Sequence, residues 1–168
     1  DGFTIKNGNS GSNGGGMYNS SASPTMSNCI ITNNVVSGAG AGMYNTSNAS
    51  PTIKNCIFTN NIAASSVGGG IANSSSSPTI INSIFGANTA YLGGALYNYS
   101  NSSPNITNCN FISNTATSYS AMYNYFNSSP VINNCTFTGN TATLDNLAIY
   151  NSNNCLTKIT NSIIYGNS

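Results

Sequence analysis

Side chains able to do acid–base chemistry are few in this 168-residue chain and lie far apart in the sequence. The chain has two carboxylates, Asp1 and Asp145, and it has neither His nor Arg. Its three lysines fall on separate stretches, at Lys6, Lys54 and Lys158. Glycoside hydrolysis generally needs two carboxylates about 5 to 10 Å apart, and an acid or base must lie within hydrogen-bonding reach of the proton it transfers. We therefore expect no hydrolase or lyase site, and we expect the chain not to be an enzyme.

The cysteines do not have the spacing of a metal site. No Cys-x-x-Cys pair of the zinc-binding kind occurs, and calcium would require several carboxylate or other oxygen ligands. Four cysteines recur once per repeat and share their position with two serines, which predicts a column of small buried side chains: Cys29, Cys56, Ser83, Cys109, Cys135 and Ser162. Their parallel Cβ directions would strain a disulfide, so we expect free thiols. Cys155 lies outside this column in a predicted loop, where it is the candidate for reaction or cross-linking. We expect no metal and no cofactor.

The chain repeats six times at a period of 25 to 28 residues, with Asn at three places in every copy. The first column is Asn19, Asn45, Asn73, Asn98, Asn124 and Asn151. The second is Asn28, Asn55, Asn82, Asn108, Asn134 and Asn161. The third is Asn34, Asn61, Asn88, Asn114, Asn140 and Asn167. Because Asn tolerates the left-handed backbone of a sharp corner and stacked Asn side chains can form ladders, the columns predict three corners and three short strands per coil.

Apolar residues within a repeat alternate over two or three positions, which is strand periodicity. In the first strand the predicted inward column is Met17, Met43, Ile71, Leu96, Met122 and Ile149. In the second strand it is Met26, Ile53, Ile80, Ile106, Ile132 and Ile159. In the third strand it is Ile31, Phe58, Phe85, Phe111, Phe137 and Ile164. We expect the phenylalanines to stack in the core, with the third Asn column at the adjoining corner.

A fixed period without a helical pattern indicates a solenoid, in which each repeat forms one coil. Right-handed connections between parallel strands then give an all-β, right-handed parallel β-helix of about six full coils. A β-propeller would need blades of about 40 residues, and a left-handed β-helix would show repeats of about six. We predict one domain over residues 1–168, a segment of a longer solenoid, with a partial coil at 1–13 and coils starting near 14, 40, 68, 93, 119 and 146.

Two short motifs within the coil resemble those of polymorphic outer membrane protein repeats. Gly93-Gly94-Ala95-Leu96 resembles their GGAI motif, and the Phe-x-x-Asn segments resemble their FxxN motif, beginning at Phe58, Phe85, Phe111 and Phe137. The wider pattern is similar to Asn-rich, adhesin-like surface proteins of the pectin-lyase-like superfamily. The sequence departs from the pattern at 119–122 and 146–149, which lack paired glycines, and at Ile31 and Ile164, which replace Phe. The resemblance implies a β-helix at the cell surface but no activity, because the same coil serves enzymes, adhesins and filaments.

Two outward columns are candidates for contact with other molecules. The first is a strip of Tyr18, Tyr44, Tyr97, Tyr123 and Tyr150, interrupted by Ala72 and widened by Tyr99, Tyr125 and Phe126. Rings about 4.8 Å apart form a flat surface that suits sugar rings or another protein; alternatively they only pack on each other and on the Ser-rich loops. The second is the candidate lateral interface, Ile30, Ile57, Ile84 and Ile163, which is interrupted by Asn110 and Thr136.

A third outward column raises the question of ice binding, which regular Thr-rich solenoids can achieve. Thr25, Thr52 and Thr79 are aligned, but Asn105, Val131 and Lys158 follow in the same column. An ice-binding face requires regularity over its full length. We therefore keep an ice-binding solenoid only as a third alternative.

Composition favours a location outside the cell. Charged residues make up 3% of the chain and the net charge is +1, whereas cytosolic proteins usually depend on surface charge for solubility. No basic cluster predicts nucleic-acid binding, and no apolar run reaches membrane-spanning length. We expect a structural or adhesive segment of an extracellular or cell-surface protein, with glycan binding by the tyrosine strip as the alternative. Because no capping segment is recognisable at either end, we also expect end-to-end or lateral self-association into a filament.

Overall fold

The computed structural model describes all 168 residues and contains strands, turns and loops without helices. The first half of the chain forms β1 (Thr4–Lys6), β2 (Asn9–Ser10), β3 (Met17–Ser20), β4 (Thr25–Ser27), β5 (Ile30–Thr32), β6 (Val35–Val36), β7 (Met43–Thr46), β8 (Thr52–Lys54), β9 (Ile57–Thr59), β10 (Ile62–Val67), β11 (Ile71–Ser74), β12 (Thr79–Ile81) and β13 (Ile84–Gly86). The second half forms β14 (Thr89–Leu92), β15 (Leu96–Tyr99), β16 (Asn105–Thr107), β17 (Asn110–Ile112), β18 (Thr115–Ser118), β19 (Met122–Tyr125), β20 (Val131–Asn133), β21 (Thr136–Thr138), β22 (Thr141–Asp145), β23 (Ile149–Ser152), β24 (Lys158–Thr160) and β25 (Ile163–Tyr165).

Every fourth strand pairs in parallel, so the chain winds into four sheets. Sheet I contains β3, β7, β11, β15, β19 and β23, and sheet II contains β4, β8, β12, β16, β20 and β24. Sheet III contains β1, β5, β9, β13, β17, β21 and β25, and sheet IV contains β2, β6, β10, β14, β18 and β22. Equivalent residues of neighbouring coils lie directly opposite each other, as Tyr97 does with Tyr123. The predicted right-handed parallel β-helix of about six turns is confirmed.

The prediction of three strands per coil is wrong, because sheet IV adds a fourth. Its inward side chains are small, with Val36, Ala63 and Ala90 forming a separate buried cluster with Ala41 of the next corner. The strands are rich in Thr, Ser and Ala, so the alternation of apolar and polar residues that identifies strands is weak there. The strands of sheet IV also vary from two to six residues, with a bulge after Ala63.

The core is a set of in-register columns, as predicted from the apolar pattern. Phe58, Phe85, Phe111 and Phe137 are fully buried. Their rings stack with centroids 5.0, 5.0 and 4.3 Å apart and planes within 11° of parallel. The inward columns of sheets I and II are buried through the middle coils. In the last coil Ile159 and Ile164 are 40% and 48% exposed.

Only the second Asn column forms corners by its own left-handed backbone, with φ between 49° and 56°. The third column follows a left-handed residue, such as Asn60 before Asn61 or Ala87 before Asn88. The first column lies within the strands of sheet I, two residues before the corner. Period-two alternation turns it inward beside Met17, Met43 and their equivalents. The prediction that each Asn column marks a corner is therefore correct for the second column and wrong for the first.

Two asparagine ladders run through the interior. In the first column each side-chain amide donates to the Asn Oδ1 of the next coil at 2.8–2.9 Å. In the third column the Oδ1 accepts both the side-chain amide and the backbone N–H of the preceding coil, as Asn88 does from Asn61. The same amides donate to a core carbonyl, for example from Asn88 to Phe58. No buried side-chain N or O atom lacks a hydrogen-bond partner.

The second Asn column forms an exposed ladder of opposite direction. Its amides donate to the preceding coil, from Asn134 to Asn108 and onward to Asn28, which donates to Asp1. Coil-to-coil contact therefore combines backbone hydrogen bonds with three side-chain ladders. The structure contains no helix that is both long and apolar enough to cross a membrane.

Candidate surface sites

The predicted tyrosine strip lies on the outer face of sheet I but is broken into two parts. Tyr18 and Tyr44 pair with centroids 5.4 Å apart. Ala72 follows in the column and is buried. Tyr97, Tyr123 and Tyr150 then continue it at 5.4 and 5.6 Å. The structure thus brings together the three C-terminal members of the strip and separates them from the first two.

A second outward position widens the C-terminal part into a two-by-two array, which we call the tyrosine platform: Tyr97, Tyr99, Tyr123 and Tyr125. Tyr97 and Tyr99 on β15 lie 6.2 Å apart, and Tyr123 and Tyr125 on β19 lie 5.8 Å apart. Tyr99 and Tyr125 stack between the coils at 5.6 Å. The other strands of sheet I carry Ser or Thr at this second position, so the platform is specific to two coils.

Further rings extend both edges of the platform. Phe126, which is 47% exposed, lies 6.2 Å from Tyr125. On the opposite edge Tyr119 lies 4.9 Å from Tyr123 and 4.0 Å from Tyr150. Sequence reasoning did not identify Tyr119 as a surface residue of interest. The available signal was its place in the repeat, where the first four full coils carry Gly.

Two members of the platform, Tyr97 and Tyr123, hold their phenolic protons well above the physiological pH range. Partial burial, followed by the nearby Tyr119 and Tyr125 hydroxyls, raises the pKa of Tyr123 to about 12. Burial and the neighbouring tyrosines raise the pKa of Tyr97 further. The rings are not coplanar, since Tyr97 and Tyr123 are tilted by 51° and Tyr123 and Tyr125 by 31°. Each uncharged ring can still stack on the apolar face of a sugar ring, and its hydroxyl can exchange hydrogen bonds with the sugar hydroxyls.

The candidate lateral interface lies on the outer face of sheet III. Ile30, Ile57 and Ile84 are opposite one another on β5, β9 and β13. Ile30 and Ile84 are 39% and 38% exposed, and Ile57 is half-buried. Asn110 and Thr136 follow in the column, so Ile163, which is 62% exposed, stands apart. The first three residues therefore form a patch, and the fourth does not belong to it.

The outward Thr column of sheet II is regular over three coils only. Thr25, Thr52 and Thr79 face one another in β4, β8 and β12. The column then continues with Asn105, Val131 and Lys158. Half of this face therefore lacks the regular row of Thr side chains that an ice-binding surface would need.

The cysteine column is built as predicted, with buried free thiols. Each thiol donates to the carbonyl two residues earlier, as Cys56 does to Lys54 at 3.1 Å. Ser83 makes the same bond at 2.9 Å and also accepts the Cys56 backbone N–H. Burial raises the pKa of Cys56, and a hydrogen bond with Cys135 together with burial raises that of Cys109. Cys and Ser share this column because either one can make the local bond and fill the small space.

The prediction that Cys155 is available for reaction is wrong. Cys155 is in a loop, but it is buried, and its sulfur accepts the Ser128 backbone N–H at 3.1 Å. It continues an inward column of small residues in the loops that precede the strands of sheet II, in which Ser102 and Ser128 have the same role. The other members of this column that make the bond are Ser, whereas the column of Cys29 and Cys56 consists mainly of Cys. The sequence alone therefore did not identify Cys155 as a member of a second buried column.

The two carboxylates lie on different coils at opposite ends of the stack. Asp1 accepts the Asn28 amide beside the first coil, whereas Asp145 ends β22 in the last strand of sheet IV. At about 4.8 Å per coil, they are separated by roughly 25 Å. No three His, Cys, Asp or Glu side chains come together, and the surface has no pocket.

Comparison with known proteins supports the architecture. Residues 17–168 match the family described as right handed beta helix region. No curated protein sequence and no solved structure matches the chain. Since the family match extends from β3 to the last residue and agrees with the four parallel sheets, the chain belongs to the right-handed β-helix family.

Proposed function

We propose that this β-helix is a structural and adhesive segment of an extracellular or cell-surface protein and has no catalytic activity of its own. The observation that carries the proposal is the continuity of the stack. The two buried Asn ladders join every full coil to the next. The outward columns change from apolar to polar residues along the stack, as from Ile84 to Asn110 and Thr136 in sheet III, on faces without a pocket. Such a molecule provides a rigid support for extended surfaces.

The distribution of charge supports a non-catalytic role. Known two-carboxylate hydrolysis needs its acids about 5 to 10 Å apart, and roughly 25 Å separates Asp1 from Asp145 at the coil spacing of parallel strands. Incubation of the chain with pectin and with neutral polysaccharides, with and without calcium, is expected to release no new reducing ends. Turnover that disappears in the Asp145→Asn variant would overturn this part of the proposal.

Extracellular location rests on composition and on the resemblance of the coil motifs to surface-protein repeats. With charged residues at 3%, the chain depends on Asn, Ser and Thr for its polar surface. Antibody labelling of intact source cells tests the location. Labelling equal to that of permeabilised cells is expected, and labelling only after permeabilisation would contradict it.

The tyrosine platform favours a second candidate function, which is binding of a neutral polysaccharide. The coils are about 4.8 Å apart, a spacing close to the length of one hexose unit in an extended glycan. Successive rings on β15 and β19 could therefore stack on successive sugars. The absence of charged groups from the platform itself favours a neutral over an acidic polymer.

Sedimentation with insoluble neutral polysaccharides tests this candidate. Tyr99→Ser and Tyr125→Ser are suitable variants, because other coils carry Ser at the same position. Loss of about tenfold in affinity is expected, as for removal of one or two stacking contacts of about 1 kcal/mol each. Tyr18→Ala, at the other end of the strip, serves as the matched control and should bind normally. Equal binding by all variants would exclude the platform.

A further inference from the structure

The closest aromatic contact in the molecule joins Tyr119 to Tyr150 at the edge of the tyrosine platform. Their ring centroids are 4.0 Å apart, and the planes are within 12° of parallel. The Phe111–Phe137 pair in the core is wider, at 4.3 Å. The two phenol rings are therefore stacked nearly face to face. Both side chains are half-buried and therefore reachable from solvent.

The backbone of Tyr119 is unusual for a bulky residue. Its φ is +60°, in the left-handed region, where Gly14, Gly40, Gly68 and Gly93 stand in the first four full coils. A Cβ added at Gly68 would lie 2.6 Å from the Ile71 carbonyl oxygen. A tyrosine at this corner is strained, and such strain is retained where surrounding contacts compensate for it. Stacking on Tyr150 and a tilted contact with Tyr123 supply those contacts at Tyr119.

The surroundings keep the phenol protonated. Partial burial, then the neighbouring Tyr150 hydroxyl and the Asp145 carboxylate, raise the pKa of Tyr119. Oxidation of a neutral phenol removes one electron and releases the phenolic proton. The resulting phenoxyl radical carries spin on the ring carbons next to the oxygen, which are the carbons that couple with a second phenoxyl radical.

We propose that Tyr119 and Tyr150 form an oxidative cross-linking site, at which a one-electron oxidant of the peroxidase class joins them as dityrosine. Each phenol gives up one electron and one proton, and the two radicals form a Cε–Cε bond. The hydrogens on those two carbons are then lost as protons while the phenoxyl oxygens are reprotonated, which restores both aromatic rings. The two electrons and two protons lost overall reduce one hydrogen peroxide to two waters.

The coupling needs ring rotation and little movement of the backbone. The ring centroids of a biaryl are about as far apart as those of the stacked pair. Coupling therefore requires each ring to turn from face-to-face to edge-to-edge contact, but it does not require the two residues to move apart. Because Tyr119 precedes β19 and Tyr150 lies in β23, the bond would fasten the last coil to the one before it. The link would stabilise the contact between these two coils by restricting the unfolded chain.

Treatment of the dilute chain with peroxidase and hydrogen peroxide tests the proposal. Dityrosine fluorescence is expected in the monomer fraction, with a cross-linked peptide that contains Tyr119 and Tyr150 and is lighter by two hydrogen atoms. Tyr119→Gly should retain its fold, since Gly occupies that corner in the earlier coils. It should lose the monomer signal by about tenfold, because Tyr150 is left with Tyr123 as its nearest partner, at 5.6 Å and tilted by 32°. Tyr150→Phe keeps the ring but removes the phenol, and it should give the same loss.

Tyr123→Phe is the matched control, because Tyr123 is the next ring along and is tilted by 44° to Tyr119. It should keep most of the signal. Oxidation should also raise the unfolding temperature of the unsubstituted chain but not that of Tyr119→Gly. Undiminished monomer fluorescence in Tyr119→Gly, cross-links mapped to a different pair, or cross-links only between molecules would overturn the proposal.

Discussion

At the scale of single residues, the asparagines differ in what they stabilise. In the buried third column the side-chain oxygen accepts two donors of the preceding coil. The amide donates to a core carbonyl of that same coil and to the Asn of the next coil, so a member such as Asn88 links three coils. The exposed second column makes one side-chain bond per coil, at the surface where water competes. Because the third column is buried and has more hydrogen-bond partners, each of its residues should contribute more to folding stability than a residue of the second column, although both columns consist of Asn.

Asn88→Ala should lower the free energy of unfolding by about 3–5 kcal/mol. It removes the acceptor of the buried Asn61 backbone N–H, and it takes one further hydrogen bond each from the Asn61 amide, the Phe58 carbonyl and the Asn114 side-chain oxygen. Denaturant unfolding of the chain measures the change. Asn82→Gly is the control. It removes an exposed ladder amide at a corner with φ of 50°, where Gly is unstrained, and should cost less than about 1 kcal/mol. Equal costs for both variants would contradict the importance of the inner ladder.

The tyrosines predict a loss of stability at alkaline pH. Burial raises the pKa of Tyr123 from its ordinary value of 10.0 to about 12 in the folded state. The folded chain therefore holds its proton where the unfolded chain releases it. This contribution is fully present below pH 10 and is lost as the pH rises to 12. The raised pKa of Cys56 acts in the same direction from about pH 9 upward.

Urea unfolding midpoints between pH 7 and 12 test this account. A nearly constant midpoint is expected up to about pH 9, followed by a steady decline. Tyr123→Phe should make the decline shallower above pH 10, because its side chain does not ionise. A decline of unchanged steepness in that variant would show that other groups cause the alkaline loss.

At the scale of the coil, stability depends on columns of equivalent residues that stack in register. Phe111 lies between Phe85 and Phe137 and is fully buried. Ile164 takes the equivalent place in the last coil, where it is 48% exposed. The same column thus offers a central and a terminal position for comparison.

Phe111→Ala should cost about 3–5 kcal/mol, since it opens a cavity in the ring stack that the rigid coils cannot close. Ile164→Ala should cost only about 1 kcal/mol, because half of that side chain is already in water. Thermal or denaturant unfolding of both variants gives the comparison. A smaller loss for Phe111→Ala than for Ile164→Ala would contradict the assigned register.

The sequence allowed the period, the inward columns and the second-column corners to be predicted, since each depends on local alternation or on backbone tolerance. The fourth strand could not be predicted in the same way. Its inward residues Ala63, Ala90 and Ala116 are small, so the inner and outer faces of the strand differ little in hydrophobicity. The polarity of Asn45 predicts an outward side chain. Its inward direction is explained only by its hydrogen bond to Asn73 in the next coil. Likewise, Cys155 became recognisable as buried only when its stacking above Ser128 was known.

The candidate site was predictable in part. The Tyr97–Tyr123–Tyr150 alignment follows from the repeat, and so does the doubling at Tyr99 and Tyr125. The contact of Tyr119 with Tyr150 does not, because it depends on a left-handed corner that places the ring beside the strip. A residue at a glycine position of the repeat is nevertheless a signal that sequence reasoning can use.

At the scale of the whole molecule, exposed apolar groups predict self-association of the isolated 168-residue chain. Ile30, Ile57 and Ile84 form a patch on sheet III, and Ile159 and Ile164 are partly exposed on the last coil. Light scattering and electron microscopy of the chain should show assemblies larger than a monomer. Ile57→Thr reproduces the residue that Thr136 places in the same column, and it should weaken lateral assembly without unfolding the coil.

A matched substitution on another face provides the control. Thr52→Ser changes the outward column of sheet II and should leave assembly unaffected. If the chain is monomeric at all concentrations, or if Ile57→Thr assembles as readily as the unsubstituted chain, the lateral interface is excluded.

The central claim of the proposed function is that the protein mediates adhesion and does not catalyse a reaction on the molecules that it binds. Detachment of chain-coated beads under flow tests it most directly, on surfaces coated either with the same chain or with neutral polysaccharides, while the effluent is assayed for released sugar. The account predicts that beads are retained on at least one of these surfaces and that the effluent contains no more sugar than with uncoated beads. Beads that are retained on none of them, or retention accompanied by sugar release, would contradict it.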